Sequence, residues 1–313
     1  MITTSRSFSV YDDNGCIFLE KYYFPEEVLS IILSYVHPKD LVFTCRNVCK
    51  IWCNLIDSQV WRILFTRKNL SLNKIQELPW FVCYWMVNKN PFNRNLIKNG
   101  CGQEGLKHWK LVTNEGDHWK VEKCPKGCDD FPEDPTNDDL NTFTSCFATT
   151  YNSCSKEQII DLKKEGAVSQ IMDLLQPKIT VSEWFEPFFH HAEKWVIHTY
   201  LINELKPPPS LYKLMIFYRY CGRSDSRCIY EFKTAILDEH QNPIDDFEIR
   251  KNLDKPDGAT WQKITHIFQN YGKGVRYVWF YHYGQDLMFW KGHFGSKMTG
   301  CSITIDLPTK IHS

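Results

Sequence analysis

The stretch from residue 24 to residue 65 most constrains this 313-residue chain, because it has more apolar positions than a small helical bundle can bury. Pro25 suits the first turn of a helix, where its missing N–H costs no hydrogen bond. Glu26 and Glu27 follow at the positive end of the helix dipole. Apolar residues then recur at helical spacing until Pro38. A unit of about forty residues is marginal alone, so the pattern predicts apolar surface that another domain or another chain covers.

An ordered set of residues in this stretch resembles an F-box. The residues that carry the resemblance are Phe24, Pro25, Glu27, Val28, Leu29, Leu41, Val48, Cys49, Trp52, Val60 and Trp61. In that family the F-box is the helical plug by which a substrate receptor docks on the Skp adaptor of an SCF (Skp, cullin, F-box) ubiquitin ligase. The resemblance implies a Skp-type adaptor as a partner and, through it, the cullin/RING ligase core. The adaptor-binding residues that it implies are Phe24, Pro25, Val28, Leu29, Ile32, Leu33, Leu41, Val48, Trp52 and Trp61.

The same helical spacing also fits an ordinary helical subdomain or a DNA-binding helix-turn-helix. Charge disfavours the second alternative, because 37 basic residues are balanced by 37 acidic ones and leave no cationic field for phosphate. We therefore expect no nucleic-acid partner. The N-terminus lacks the order of a signal peptide, and no apolar run is long enough to span a bilayer. Thirteen cysteines without a CxxC pair indicate free thiols. These features predict a cytosolic or nuclear protein without a transmembrane segment, and we expect the cytoplasm.

Beyond Gly100, helical spacing gives way to short runs in which apolar and polar residues alternate. One such run has Tyr230, Phe232 and Ile236 on a single face. Eight strands are predicted, at residues 143–151, 157–162, 178–184, 230–237, 244–249, 261–268, 276–284 and 302–307. A helix is predicted at residues 167–175. The fold class is therefore α+β and multidomain, with a helical F-box joined by a helical linker to an antiparallel β-sandwich.

Motifs in the sandwich region resemble, in order, the F-box-associated (FBA) domain of the sugar-recognising F-box proteins. The motifs lie at residues 95–106, 116–122, 160–166, 271–276, 284–286 and 290–295. The family's domain is a jelly-roll-like, galactose-binding-like sandwich that binds N-linked high-mannose glycans of misfolded glycoproteins. The boundaries predicted from both resemblances are a flexible N-terminus at 1–20, the F-box at 21–68, a helical linker at 69–94 and the FBA domain at 95–310.

A glycan site needs aromatic rings for the C–H faces of the sugars and polar groups for their hydroxyls and acetamides. Phe289, Trp290 and Lys291 fit this description and precede the last predicted strand, in a loop at one end of the sandwich. The resemblance implies that these three residues bind the chitobiose core, together with Tyr151 and Asp225 from two other loops. Glycan-binding members commonly have tyrosine where Phe289 stands, and phenylalanine where Tyr151 stands.

An extra segment near residues 185–216 has no counterpart in the family pattern. Its three consecutive prolines at 207–209 indicate a poorly structured loop, or a sequence read from an unremoved intron. The His190, His191, Glu193 and His198 side chains do not form an HExxH motif. We therefore expect no metal and no cofactor.

No phosphate loop, nucleophile elbow or paired-carboxylate motif indicates catalysis. The resemblance implies a non-catalytic substrate-recognition subunit that delivers misfolded glycoproteins for ubiquitination and degradation, recruited to the cytosolic face of the endoplasmic reticulum. A second hypothesis is an F-box/FBA receptor, or a binding module outside any ligase, that recognises a protein surface without sugar. A third and weaker one is a carbohydrate enzyme, which would need two carboxylates beside the sugar, whereas the resemblance supplies only Asp225.

Overall fold

The computed structural model describes residues 17–18, 22–23, 25–68, 78–126, 130–131, 143–186, 227–253 and 261–307. The predictions for Phe24, for Asp225 and for residues 187–216 of the extra segment lie outside this part of the chain. Two compact units form. The first consists of Met1–Phe92, Leu162–Pro177 and Leu307–Ser313, and the second consists of Asn93–Asp161 and Lys178–Asp306.

In its described residues, the first unit is helical apart from short irregular segments and one short strand pair. That pair joins β1 (Ile17–Phe18) to β2 (Tyr22–Tyr23). The helices are α1 (Glu26–Leu33), α2 (Pro38–Phe43), α3 (Lys50–Leu55), α4 (Trp61–Arg67), α5 (Trp80–Lys89) and α6 (Ser169–Leu175). A 3-10 turn at Cys45–Asn47 precedes α3, and a π-helical turn at Ile56–Val60 joins α3 to α4. No helix in the described ranges is both long and apolar enough to cross a membrane.

Local sequence accounts for the ends of these helices. The carbonyl of Pro25 accepts the first α1 bond, from the Leu29 N–H at 3.0 Å. At α2 the His37 ring accepts a hydrogen bond from the Lys39 N–H at 3.3 Å, and Pro38 occupies the first turn. Apolar side chains at helical spacing then build the core of this unit. Its buried members include Leu29, Leu33, Leu41, Leu55, Ile56, Val60, Trp61, Phe65, Val82 and Val87.

The second unit consists of two antiparallel five-stranded sheets, as the alternating sequence predicted. The first sheet has the order β10-β7-β12-β5-β4, with β4 (Lys120–Glu122), β5 (Cys146–Ala148), β7 (Ile179–Glu186), β10 (Gln262–Phe268) and β12 (Lys297–Ile305). The second has the order β3-β6-β11-β8-β9, with β3 (Lys110–Asn114), β6 (Cys154–Asp161), β8 (Cys228–Leu237), β9 (Pro243–Leu253) and β11 (Tyr277–Asp286). The predicted antiparallel sandwich is thus confirmed. The predictions did not include β3 and β4.

Strand alternation separates the inner and outer faces of the second sheet. Along β11, Val278, Phe280 and His282 are buried, whereas Trp279 and Tyr281 are half-exposed. The inner side chains meet aromatic residues from neighbouring strands, since Phe232 packs edge-on against Phe280 at 5.1 Å between ring centroids. The core of the sandwich is consequently rich in aromatic rings, and the outer face of this sheet carries half-exposed rings along β11.

A cluster of polar side chains is enclosed within this aromatic core. Buried Glu183 accepts hydrogen bonds from the Tyr230 hydroxyl at 2.7 Å, from Nδ1 of His282 at 2.5 Å and from the Cys301 thiol at 3.1 Å. The ammonium of buried Lys156 lies 3.1 Å from the ring centroid of Phe147. Because burial disfavours the charged forms, the pKa of Lys156 falls to about 7 and that of His282 falls to about 4.

Candidate functional site

The loop between β11 and β12 exposes four consecutive apolar side chains. Leu287, Met288, Phe289 and Trp290 expose 47%, 44%, 37% and 81% of their surfaces. Lys291, the next residue, is also exposed. Apolar side chains are seldom held in water in this number without a role in binding. The predicted residues Phe289, Trp290 and Lys291 therefore lie in an exposed segment that is largely apolar.

A buried carboxylate anchors the start of this loop. The Asp286 side chain accepts hydrogen bonds from the N–H groups of Met288 at 2.9 Å and Phe289 at 3.3 Å. Burial raises the pKa of the Asp286 carboxyl, although both of these hydrogen bonds oppose the shift. The N–H of Asp286 in turn donates to the carbonyl of Thr150 at 2.8 Å. The loop thus begins at a fixed position beside the loop that contains Tyr151.

The second half of the loop is tied to two other loops. The N–H of Gly292 donates to Asp117 at 2.6 Å, and the hydroxyl of Thr150 donates to the Gly292 carbonyl at 2.7 Å. Gly292 has a φ of +92°, which favours glycine at this position. The Phe294 ring packs against Phe289 at 4.7 Å between centroids. Hydrogen bonds at both ends and a ring contact between them therefore hold Trp290 in a preformed loop.

Tyr151 belongs to the same group of loops. It directly follows Thr150, and its carbonyl accepts a hydrogen bond from the Gln285 side chain at 3.3 Å. Gly116 lies close to the Tyr151 ring, since a Cβ on Gly116 would be 3.2 Å from Cζ of the tyrosine. The structure thus brings the loops of Tyr151 and Trp290 together at one end of the sandwich.

Three anchoring residues were not among the predicted site residues. Asp117, Thr150 and Asp286 hold the loops through side-chain hydrogen bonds. Two of them lie in quoted motifs, because Asp117 is in the segment 116–122 and Asp286 is in the segment 284–286. The motifs therefore contained a signal for these two anchors, which are polar residues and not the aromatic residues expected to stack on a sugar.

One group of side chains in the described part of the chain has the composition of a metal site. The ligand atoms of Glu183, His282 and Cys301 lie within 4.8 Å of one another. All three side chains are buried in the sandwich core, and the His282 ring and the Cys301 thiol both donate to Glu183. These contacts are those of a hydrogen-bonded cluster, and they lie inside the sandwich rather than among the candidate loops.

The structure divides the predicted adaptor-binding residues into a buried set and an exposed set. The buried set supports the helical core and consists of Leu29, Leu33, Leu41 and Trp61. The exposed set consists of Pro25, Val28, Ile32 and Val48. Trp52 is half-buried. Three further apolar side chains, Ile31, Tyr35 and Phe43, are exposed by 47%, 76% and 61%, and they enlarge the apolar surface of this unit.

Comparison with known families and proteins gives two consistent findings. A family model described as "F-box associated region" matches residues 87–208 and 210–305, and one described as "F-box-like" matches residues 23–67. F-box only protein 27 of Mus musculus is 30% identical over 296 residues, which cover 90% of this chain and 89% of that protein. F-box only protein 44 of Homo sapiens is 31% identical, with 91% of this chain and 96% of that protein covered. F-box only protein 2 of Bos taurus is 31% identical, with 90% and 82% covered. Both resemblances are therefore confirmed.

Proposed function

Because this chain belongs to the F-box proteins that carry an F-box-associated region, we propose that it binds N-linked high-mannose glycans of misfolded glycoproteins for an SCF-type ubiquitin ligase. Its F-box and its F-box only relatives fit a substrate-recognition subunit of such a complex. In this proposal the helical unit binds the Skp-type adaptor, and the loops of the sandwich bind the glycan. The chain acts in the cytoplasm, at the cytosolic face of the endoplasmic reticulum.

Exposed apolar side chains in the helical unit support the adaptor half of the proposal. Val28, Ile32 and Val48 expose 39%, 47% and 56% of their surfaces. Leu29 and Leu33, on the same helix as the first two, are buried and hold the bundle together. An apolar surface of this kind is typical of a docking site. The exposed residues are therefore the ones that we expect to contact the adaptor.

Two substitutions in α1 separate docking from folding. Ile32→Glu is expected to abolish adaptor binding and leave the unit folded, because the new carboxylate is solvated in the free chain but would be buried without a partner in the complex. Leu33→Ala is expected to lower the free energy of unfolding by about 2 to 5 kcal/mol, because Leu33 is only 2% exposed. Co-purification with the adaptor and thermal unfolding measure the two effects.

A matched control for the docking test lies on the sandwich. Ile267 on β10 is 46% exposed, close to the 47% of Ile32. Ile267→Glu should bind the adaptor like the unchanged chain, because this residue lies outside the F-box. If the Ile32→Glu chain still co-purified with the adaptor at the unchanged yield, α1 would not be the docking surface.

The observation that best supports glycan binding is an exposed tryptophan, Trp290, in a loop that is held at both ends. Trp290 is 81% exposed, so its ring contributes little to the core. Asp286 and Thr150 nevertheless fix the loop on either side of it. A ring held in place before binding loses little conformational freedom on contact with a ligand. Trp290 is thus suited to stack on a sugar face, with the Lys291 ammonium available for sugar oxygens.

The mechanism in this proposal is proximity. The sandwich holds the glycan of a misfolded protein, and the helical unit holds the adaptor of the ligase. Joining the two raises the effective concentration of substrate lysines near the conjugating enzyme. The chain itself supplies specificity, and the bond-forming chemistry belongs to the other subunits.

The experiment uses one denatured glycoprotein before and after enzymatic removal of its N-glycans. The full chain in complex with its adaptor is expected to capture the glycosylated form and to release it when free high-mannose glycan is added. A reconstituted ligase should then ubiquitinate the glycosylated form preferentially. Equal capture of both forms would reject glycan recognition.

One observation favours the alternative of protein-surface recognition. Leu287 and Met288 are exposed beside Phe289 and offer aliphatic surface that a sugar does not require. A protein ligand would cover this surface and bind whether or not glycan is attached. Equal capture of the two forms, lost on Leu287→Asp, would favour this second function.

A further inference from the structure

The outer face of the second sheet of the sandwich carries a column of aromatic side chains. Tyr277, Trp279, Tyr281 and Tyr283 alternate with buried residues along β11, so that all four rings lie on the outer face and are half-exposed. The Trp279 and Tyr281 rings lie 5.5 Å apart at an angle of 32°. These half-exposed rings form an apolar strip on the outer face of the sheet, outside the core.

Charged side chains flank the strip and are paired with one another. Lys233 lies 3.0 Å from Glu231 and 3.0 Å from Glu248. Across the strip, the Trp279 indole donates to Glu157 at 2.9 Å, and Lys110 contacts the same carboxylate at 2.7 Å. Positive and negative groups thus alternate along the rows of the sheet. The strip therefore has hydrogen-bonding groups on both sides without a strong field of either sign.

A trough opens beside the strip where one side chain is small. Ala235 lies between Trp279 and Asp246 in the sheet register, and its methyl group leaves space that the longer neighbours enclose. The resulting cavity has a volume of about 400 Å³. Its lining combines the apolar side chains of Ile159, Trp279, Leu237 and Pro243 with the polar side chains of Lys233 and Asp246.

The strip is continuous with the candidate glycan-binding loops. The Tyr283 hydroxyl donates to the side chain of Gln285 at 2.5 Å, and Gln285 donates to the carbonyl of Tyr151. β11 ends at Asp286, the anchor of the loop that presents Trp290. At about 3.4 Å per residue, Trp279 lies about 14 Å along the strand from Tyr283. A ligand several sugars long could therefore start at the loops and continue along the strip.

We propose that this outer sheet face binds the outer mannose residues of the glycan whose chitobiose core is held by the loops. Aromatic rings suit the C–H faces of sugars, and paired carboxylate and ammonium groups suit their hydroxyls. The balanced charge of the face favours a neutral, polar ligand over a nucleic acid or a charged peptide. The inference rests on the proposed function and names a second contact surface for the same ligand.

The test compares two probes on the full chain by calorimetry, namely chitobiose alone and a high-mannose glycan that contains it. Trp279→Ala removes the largest ring of the strip, and Ala235→Gln places a longer side chain in the trough that Ala235 lines. Both variants are expected to bind the high-mannose glycan about three- to tenfold more weakly, with unchanged affinity for chitobiose. Ile267→Ala, at an exposed apolar position of the other sheet, is the control and should bind both probes normally.

Three other outcomes of this test would each overturn the inference. Unchanged affinity of both variants for the high-mannose glycan would overturn the inference and leave the proposed function intact. An equal loss of affinity for chitobiose and for the high-mannose glycan would also overturn it, because the substitutions would then disturb the chitobiose-binding loops and not a separate mannose contact. If the unchanged chain bound neither probe, both the proposed function and the inference would be rejected. Thermal unfolding of each variant confirms that binding is compared between folded chains.

Discussion

Replacing Glu183 with glutamine is expected to lower the free energy of unfolding of the sandwich by about 1 to 3 kcal/mol. The carboxylate accepts hydrogen bonds from Tyr230, His282 and Cys301 and is fully buried. An amide of the same size would turn an NH₂ group toward these donors and leave at least one of them without an acceptor. It would also remove a negative charge that favours the charged form of Lys156.

Chemical denaturation of the purified chain measures this loss. The matched control is Glu248→Gln, since the Glu248 side chain is 51% exposed and forms a surface ion pair with Lys233. That substitution should change the free energy of unfolding by less than about 1 kcal/mol. A loss below about 1 kcal/mol for Glu183→Gln as well would contradict the account of a coupled buried cluster.

Lys156→Met is expected to reduce the pH dependence of stability. Burial lowers the folded-state pKa of Lys156 to about 7, while the unfolded chain keeps this proton until about pH 10. Between pH 6 and pH 8 the unfolded state therefore binds more protons than the folded state, and stability rises with pH. The integrated contribution of this one group is about 1.4 kcal/mol over that window. Methionine has no proton to lose, so the variant should lack this part of the rise.

Denaturation of both chains at pH 6, 7 and 8 gives the comparison. His282, whose pKa falls to about 4 because of burial, adds a similar trend at lower pH in both chains and cancels in the difference. The window ends at pH 8 because burial raises the pKa of Tyr230 and Cys301, and ionisation of these groups in the unfolded chain reverses the trend at higher pH. Parallel pH profiles for the two chains would show that Lys156 does not change protonation in this range.

Periodicity predicted most of the sandwich but not its shortest or least regular strands. Clear alternation along β8 and β11 placed both strands to within about two residues. β4 has only three residues, Lys120–Glu122, which are too few to show a period. β12 begins at Lys297, five residues before the predicted start at Ser302. There a register shift between Thr299 and Ser302 and a buried Lys297 break the expected pattern.

The polar core cluster could not be predicted from residue type. A lysine and a glutamate in alternating strands indicate solvent-facing positions, yet Lys156 and Glu183 are fully buried. Their burial depends on partners from four strands, which local sequence does not identify. The candidate site was likewise predicted only in part. The motif identified Trp290, but it did not identify the bonds that hold its loop. The bond of Gly292 to Asp117 joins residues 175 positions apart, and the bond of Gly292 to Thr150 joins residues 142 positions apart.

In the proposed function, the loop of Trp290 binds the chitobiose core of N-linked glycans. The most direct measurement is calorimetry of the full chain with chitobiose, beside Trp290→Ala and the control Leu174→Ala, an exposed apolar position on α6 of the helical unit. The account predicts binding by the unchanged and control chains and an affinity at least about tenfold lower for Trp290→Ala. Absence of binding by the folded, unchanged chain, or full affinity in Trp290→Ala, would contradict it.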